Sequence, residues 1–375
     1  MSPDIYIFNA YPLRPTDGGP SGFLAQNLAG HPVEGVTLGK FHPWQPKPGW
    51  RGLAEHLPGV AGTRRRSLGL GATTWIEALL LSVRQTFRLE RVVERPVVWF
   101  HDVIALAACL DLLRPTQRIV LQPHCPQLPS EEVREAGWPA DDVRWMIEAE
   151  RTAFQRANLI ALPNEGVVKI YEPLLRAAQK IAFLESGCDP IRAAAIPPLD
   201  PQFVYYLYLG RRLTIKGWDL ALEGFRAAHR AHLEIRLLVV GNGPRLAEPG
   251  VIDLGFSDRP AAWLGAADYL LNVNRQSYFD LGIMEALAEG TPLLMTCSHG
   301  HATFATIGSP GIRVIASPSA SAVADAIGQN RRKRANNLAA VTANRSLFAV
   351  RFSAEHYRTR LTAFVRSPDF LAATA

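Results

Sequence analysis

The apolar positions of this chain gather into short continuous runs, separated by longer stretches with helical spacing. Runs at Ile5-Phe8, Val97-Phe100, Arg118-Gln122, Leu159-Leu162 and Ile181-Leu184 predict strands in the first half. Val204-Leu209, Ile235-Val240, Tyr269-Val273 and Leu293-Thr296 predict strands in the second. Most of them lack strict apolar/polar alternation, as strands do when both faces are covered. With helical patterns between them, they describe α/β layers built on parallel sheets. In the pattern that opens at Trp218, residues Trp218, Ala221, Leu222, Phe225 and Ala228 share one face, which is expected to lie on a sheet.

The run from Pro190 to Pro201 holds four prolines and little periodicity, so it reads as a linker. It divides the chain into a first α/β unit over residues 1–190 and a second over 200–353. The last helical pattern, Ala354 to Arg366 within 354–375, is expected to pack back onto the first unit. Ligands of doubly wound sheets sit beyond the carboxyl ends of the strands, so two facing units would enclose a cleft.

Composition narrows the partners. The chain has 375 residues, 48% of them hydrophobic and 20% charged, with a formal net charge of +6. Two domains with separate cores fit that length. Basic clusters at Arg64-Arg65-Arg66 and Arg331-Arg332-Lys333-Arg334 read as solvated faces, with an anionic membrane surface or acidic ligand as the alternative. No aromatic-interleaved basic motif supports nucleic acid as a partner. Cys109, Cys125, Cys188 and Cys297 fit neither a metal nor a disulfide framework, which suggests a reducing, cytoplasmic setting. The N-terminal residues lack signal-peptide features, and no apolar run reaches the ~18 residues of a transmembrane helix.

Candidate chemistry concentrates between Leu209 and Pro292. Arg211 and Lys216 lie at a strand-to-helix turn flanked by Gly210 and Gly217, where a guanidinium fork and an ammonium can converge on a diphosphate. Two solvated surface cations are the plainer reading. Glu285 and Glu289 stand one helical turn apart, a like-charge spacing that does not help a helix. Placed in the first turn, Glu285 gains from the helix dipole and can accept two hydrogen bonds from a ribose diol, or it is a surface carboxylate.

In the first half, Asp17-Gly18-Gly19-Pro20-Ser21-Gly22 follows a strand and opens a helix. There, backbone N–H groups can approach a phosphate, or the glycines form only a flexible turn. His101 and His124 follow strand ends that face the expected cleft. The segment Thr73 to Arg95 mixes Trp75, Ile76, Leu79, Leu80 and Leu81 with Arg84, Arg88, Arg91 and Arg95. It fits either a core-packed helix with a solvated arginine face or an amphipathic helix resting on anionic lipid.

Together these residues resemble the retaining GT-B glycosyltransferases of family GT4. The likeness rests on Gly210-Arg211…Lys216-Gly217, Val240-Gly241…Gly243-Pro244, Gly255-Phe256 and Glu285-Ala286-Leu287-Ala288…Gly290…Pro292. Gly187-Cys188-Asp189 is similar to the family's element before its interdomain linker. The resemblance implies an α/β GT-B fold: two Rossmann-like, doubly wound parallel-sheet domains facing an interdomain cleft. It also implies transfer of a sugar, with retention and without a metal or other cofactor, from a UDP, GDP or dTDP donor to an acceptor hydroxyl. Arg211 and Lys216 match the pair that neutralises the donor diphosphate. Glu285 matches the second acid of the family's E-x7-E motif and would hold the ribose. Gly255 and Phe256 match the base contact, with Gly243 in the preceding turn. Gly18 and Gly19 match the glycine loop, and His124 the histidine near the transferred sugar.

One departure stands out. Ser277 occupies the position of the motif's first acid, and the usual Phe-Gly reads Phe279-Asp280, followed by Leu281. Serine cannot supply the missing charge. Asp280 either takes over part of that role or caps the helix bearing Glu285. The acceptor implied is a glycan, a lipid-linked group or a small molecule. A non-catalytic sugar-nucleotide-binding subunit and a sugar-nucleotide epimerase on the same fold are the alternatives.

Overall fold

The computed structural model describes residues 4–44, 75–190, 195 and 197–374, with backbone alone for 75–78. Arg64-Arg65-Arg66, the side chains of Trp75 and Ile76, and part of the proline-rich run lie outside the described residues. The first sheet holds β1 (Ile5–Phe8), β2 (Val36–Leu38), β3 (Val97–Phe100), β4 (Arg118–Leu121), β5 (Leu159–Leu162) and β6 (Lys180–Phe183) in the order β2-β1-β3-β4-β5-β6. The second holds β7 (Val204–Leu209), β8 (Ile235–Val240), β9 (Val251–Gly255), β10 (Tyr269–Asn272), β11 (Leu293–Thr296) and β12 (Ile312–Ile315) in the order β12-β11-β10-β7-β8-β9. All neighbouring strands within the sheets are parallel.

Interior strands such as β3 and β5 are buried at every residue, which is why they read as unbroken apolar runs. The strands that pattern alone does not reveal, β2, β9 and β12, all lie at sheet edges. Each is partly open to solvent: Arg313 and Val314 are exposed on β12, and Ile252 on β9. An edge strand needs no continuous apolar run.

In the first sheet the strand order reverses between β1 and β3, and in the second between β7 and β10. Crevices at such reversals bind ligands. The helices that matter here are α1 (Gly19–Asn27), α2 (Pro129–Glu135), α3 (Trp218–Ala231), α4 (Leu281–Glu289) and α5 (Ala354–Val365). On α3, Leu220, Ala221, Leu222, Phe225 and Ala228 are buried, and Trp218 packs on Tyr208 with ring centres 4.8 Å apart.

The chain returns to the first sheet at its end. Ser353 bridges Cys188, and Tyr357, Leu361 and Val365 of α5 share a core with Phe23 and Trp99. A Cβ on Gly187 would stand 2.8 Å from the Ser353 carbonyl oxygen, so a glycine permits this crossing.

The helix Trp75–Leu89 buries Val83 and Phe87, while Arg84 is bonded to Asp111, Arg91 to Glu94 and Arg95 to Asp4. Leu79 and Leu80 pack partly against the same core, and Leu81 is exposed. No described helix is long and apolar enough to cross a membrane. Arg334 departs from a solvated basic face: its guanidinium donates to the carbonyls of Leu264, Gly265 and Glu289, closing helix ends.

Candidate active site

The floor of the site is the reversal between β7 and β10. Gly217 precedes α3 with φ of +65°, and a Cβ there would lie 2.0 Å from the Val273 carbonyl oxygen. Only glycine lets the turn carrying Lys216 press against the end of β10. Arg275 fixes the other side, donating to both carboxylate oxygens of Asp219 at 2.6 and 2.5 Å and to the Thr214 carbonyl.

Lys216 Nζ donates to Asp280 Oδ1 and Oδ2 at 3.0 and 2.8 Å, and Asn274 Nδ2 donates to the same carboxylate at 2.8 Å. Burial alone would raise the Asp280 carboxyl. The charges of Lys216 and His301, with these hydrogen bonds, override that and hold it well below the usual carboxylate range. Asp280 stands at the N-cap position of α4, yet its side chain makes no cap hydrogen bond. The expectation of a helix cap is therefore corrected: Lys216 competes for the carboxylate and wins. The Asp280 backbone N–H donates to Nε2 of the buried His301 at 3.2 Å.

Glu285 needs a second correction. Helix α4 begins at Leu281, and no acid lies in its first turn, so the helix dipole does not account for Glu285. Its partner comes from the first half: Gln26 Nε2, on α1, donates to Glu285 Oε1 at 3.0 Å and to the Pro15 carbonyl at 2.7 Å. Burial pushes the Glu285 carboxyl up, and the bond from Gln26 opposes this only in part. Two more contacts join the halves. Arg211 Nη1 donates to Glu132 Oε1 of α2 at 2.5 Å, and Asn164 Nδ2 donates to the Gly300 carbonyl at 2.8 Å.

The glycine loop opens α1, the helix that meets α4 through Gly22 and Gln26. A Cβ at Gly18 or Gly19 would meet nothing within 4 Å, so this backbone faces open space. Gly22, by contrast, is required for packing, since its Cβ would lie 1.8 Å from the Asp17 carbonyl oxygen and 3.4 Å from Leu281. Across the first sheet, His124 Nε2 lies 3.0 Å from His101 Nδ1. The His101 ring stacks on Trp99, and His124 packs against Phe23 and Tyr278. Burial pushes His124 down to about 3, and burial together with His124 takes His101 well below its ordinary value. Near neutral pH both rings are uncharged.

Among the described residues, the other sequence-derived ones make no side-chain hydrogen bond to Lys216 or Asp280, although Ser298 links Ser277 to the Asn274 carbonyl. Ser277 is 0% exposed, with its hydroxyl 3.2 Å from that of Ser298. Phe279 is buried between Phe304 and Phe352. Gly255 ends β9 with φ of +68°, and Phe256 after it is 72% exposed. Gly243 belongs to a turn pinned by Arg212, which donates to the carbonyls of Gly241 and Pro244 and to the buried Asp253 carboxylate, the last at 2.6 Å.

The sequence reading missed Gln26, Glu132, Asn274 and His301. His301 carried a signal, because His299-Gly300-His301 follows the carboxyl end of β11. Gln26 and Glu132 carried none, since their partners lie 259 and 79 positions away.

Residues 204–330 match the family model described as Glycosyl transferases group 1. No curated protein matches the chain by sequence. Among solved structures, the sucrose-phosphate synthase of Thermosynechococcus elongatus is similar at 15% identity with a TM-score of 0.66, over 100% of both chains. Alr3699/HepE of Anabaena, solved with UDP and glucose, is similar at 13% identity with a TM-score of 0.62, over 97% of this chain and 99% of that one. The α,α-trehalose 6-phosphate synthase of Burkholderia multivorans is similar at 14% identity with a TM-score of 0.60, over 100% of this chain and 98% of that one. The two parallel sheets adopt the GT-B arrangement of these proteins.

Proposed function

We propose that this protein is a retaining glycosyltransferase of the GT4 type that takes a sugar from a nucleoside-diphosphate donor, UDP first among them. The observation that carries the reading is the position of Arg211 and Lys216. Both follow β7 at the reversal of the second sheet, and Arg211 lines one cavity with Pro20 and His124 of the first half. In transfer, the bond from the anomeric carbon to the donor phosphate oxygen breaks and a bond to the acceptor oxygen forms. The acceptor proton passes to the departing phosphate. The leaving group gains negative charge, so preorganised cations and N–H groups are the main source of rate. Arg211 would exchange Glu132 for phosphate, Lys216 would share its charge between phosphate and Asp280, and Gly18 and Gly19 would contribute backbone N–H groups. These residues meet that need without a metal ion. His124, uncharged, would hydrogen-bond the transferred sugar, and Glu285 would accept from the ribose hydroxyls. Closure of the two halves would exclude water and limit donor hydrolysis.

Free cysteines at Cys109, Cys125, Cys188 and Cys297 support a cytoplasmic setting. A thermal-shift panel of UDP, GDP, dTDP and their sugars tests the reading, since specific binding raises the midpoint by mass action. Arg211→Ala and Lys216→Ala should remove the shift, and a shift unchanged in both variants would refute the phosphate assignment.

One observation favours a second reading, a binding subunit without transfer activity. Ser277 replaces the motif acid and is buried against Ser298. Binding of one donor with neither transfer to any acceptor nor slow hydrolysis would select it.

A further inference from the structure

Next to the candidate site lies a cavity of about 390 Å³ whose walls come mainly from the first half. Val103, Ile104, Val133, Trp138 and Met146 give it an apolar lining, and Val133 and Met146 belong to a small core of their own. The volume falls in the range of small-molecule sites, roughly 300–1,000 Å³. His124 and Arg211 also line it, so a molecule held there reaches the candidate reaction centre directly.

The polar lining limits the occupant. Asp102, Glu132 and Glu135 carry carboxylates, and Arg211 is the one cationic side chain among the lining residues. Arg211 is engaged by Glu132 and, on the proposed function, by the donor diphosphate. No positive charge is left for a phosphate or carboxylate on the second substrate, and the acids would repel one.

We propose that this cavity receives the apolar body of an uncharged acceptor, an apolar alcohol or phenol whose hydroxyl is presented beside His124. This rests on the glycosyltransferase reading and narrows it by excluding sugar phosphates and other anionic acceptors.

Saturation-transfer NMR with 2-naphthol, without nucleotide, tests the cavity independently of the donor site. Glucose 6-phosphate serves as the anionic probe, and UDP binding is followed in parallel by thermal shift. Wild-type protein should bind 2-naphthol and not glucose 6-phosphate. Ala136→Trp places bulk at the exposed edge of the lining and should weaken 2-naphthol roughly tenfold or more while the UDP shift persists. That persistence also shows that the variant folds. The inference is overturned if glucose 6-phosphate binds and 2-naphthol does not. It is equally overturned if 2-naphthol binds unchanged in Ala136→Trp, since its site is then elsewhere. Loss of the UDP shift in the wild type would instead count against the glycosyltransferase reading, leaving the 2-naphthol result to stand for the cavity alone.

Discussion

Lys216 Nζ lies 2.8 and 3.0 Å from the two carboxylate oxygens of Asp280. The cation assigned to the donor phosphate thus already faces an anion supplied by the chain, at the position where the resembled motif has glycine. A phosphate must compete with that carboxylate for Lys216. Asp280→Gly should therefore bind UDP more tightly, by about fivefold, the scale of a partly exposed ion pair of about 1 kcal/mol. Isothermal titration with UDP decides the matter. Weaker binding in the variant would mean that Asp280 instead holds Lys216 in place for the phosphate.

Glycine at 217 is needed for that same lysine. With φ of +65° and the Val273 carbonyl oxygen 2.0 Å from where a Cβ would stand, Gly217→Ala combines left-handed strain with a backbone clash. The turn must withdraw from β10, taking Lys216 with it. Loss of about 2 kcal/mol of stability or more is expected, with loss of the UDP shift. Urea unfolding and the thermal-shift assay measure the two effects separately.

The sequence made the interior of both sheets legible because strands covered on both faces must be apolar throughout. It also placed Arg211, Lys216 and Glu285 on the correct turns and helix, through glycines and spacing that are local properties of the chain. What it could not convey was the direction of a side chain with a choice of partners. Asp280 has the composition of a helix cap, and only the fold brings Lys216 and Asn274 to it. The Gln26–Glu285 and Glu132–Arg211 contacts arise when two separately encoded halves meet, and no local pattern announces them. Three of the four described edge strands, β2, β9 and β12, stayed hidden; on β12, Arg313 and Val314 answer to solvent as much as to the sheet.

Glu285 carries opposed demands that a single substitution separates. Burial raises its carboxyl above the ordinary value near 4.3. A raised carboxyl contributes stability below its unfolded pKa, and that contribution is lost as pH rises through the folded value. Glu285→Gln has no charge to bury and keeps an oxygen for Gln26. It should melt higher than wild type at pH 7, with the difference closing towards pH 4. The same change removes charged hydrogen bonds to ribose, so UDP affinity should fall about tenfold or more while pyrophosphate binding stays unchanged. A parallel loss of both ligands would refute the ribose assignment.

The His101–His124 pair predicts the acid limb of stability. His124 is pushed down to about 3 by burial, and His101, at 3.0 Å from it, also lies well below its ordinary value. A histidine lowered in the folded state supports folding above its unfolded pKa, near 6.5, and that support is lost as pH falls towards the folded value. In the folded protein neither ring accepts a proton readily, whereas in the unfolded chain both do. Stability should therefore decline steadily from about pH 6.5 downward, before most carboxylates titrate. His101→Gln removes one titrating ring, the one that burial and the neighbouring His124 together hold low. Its urea midpoint should fall less steeply between pH 6.5 and 5, even if the variant is less stable at pH 7 after losing the stack on Trp99. A slope equal to that of wild type would mean that the pair titrates at ordinary values. His124 could then carry a proton near neutral pH, and its role at the transferred sugar would shift from neutral hydrogen bonding to charge.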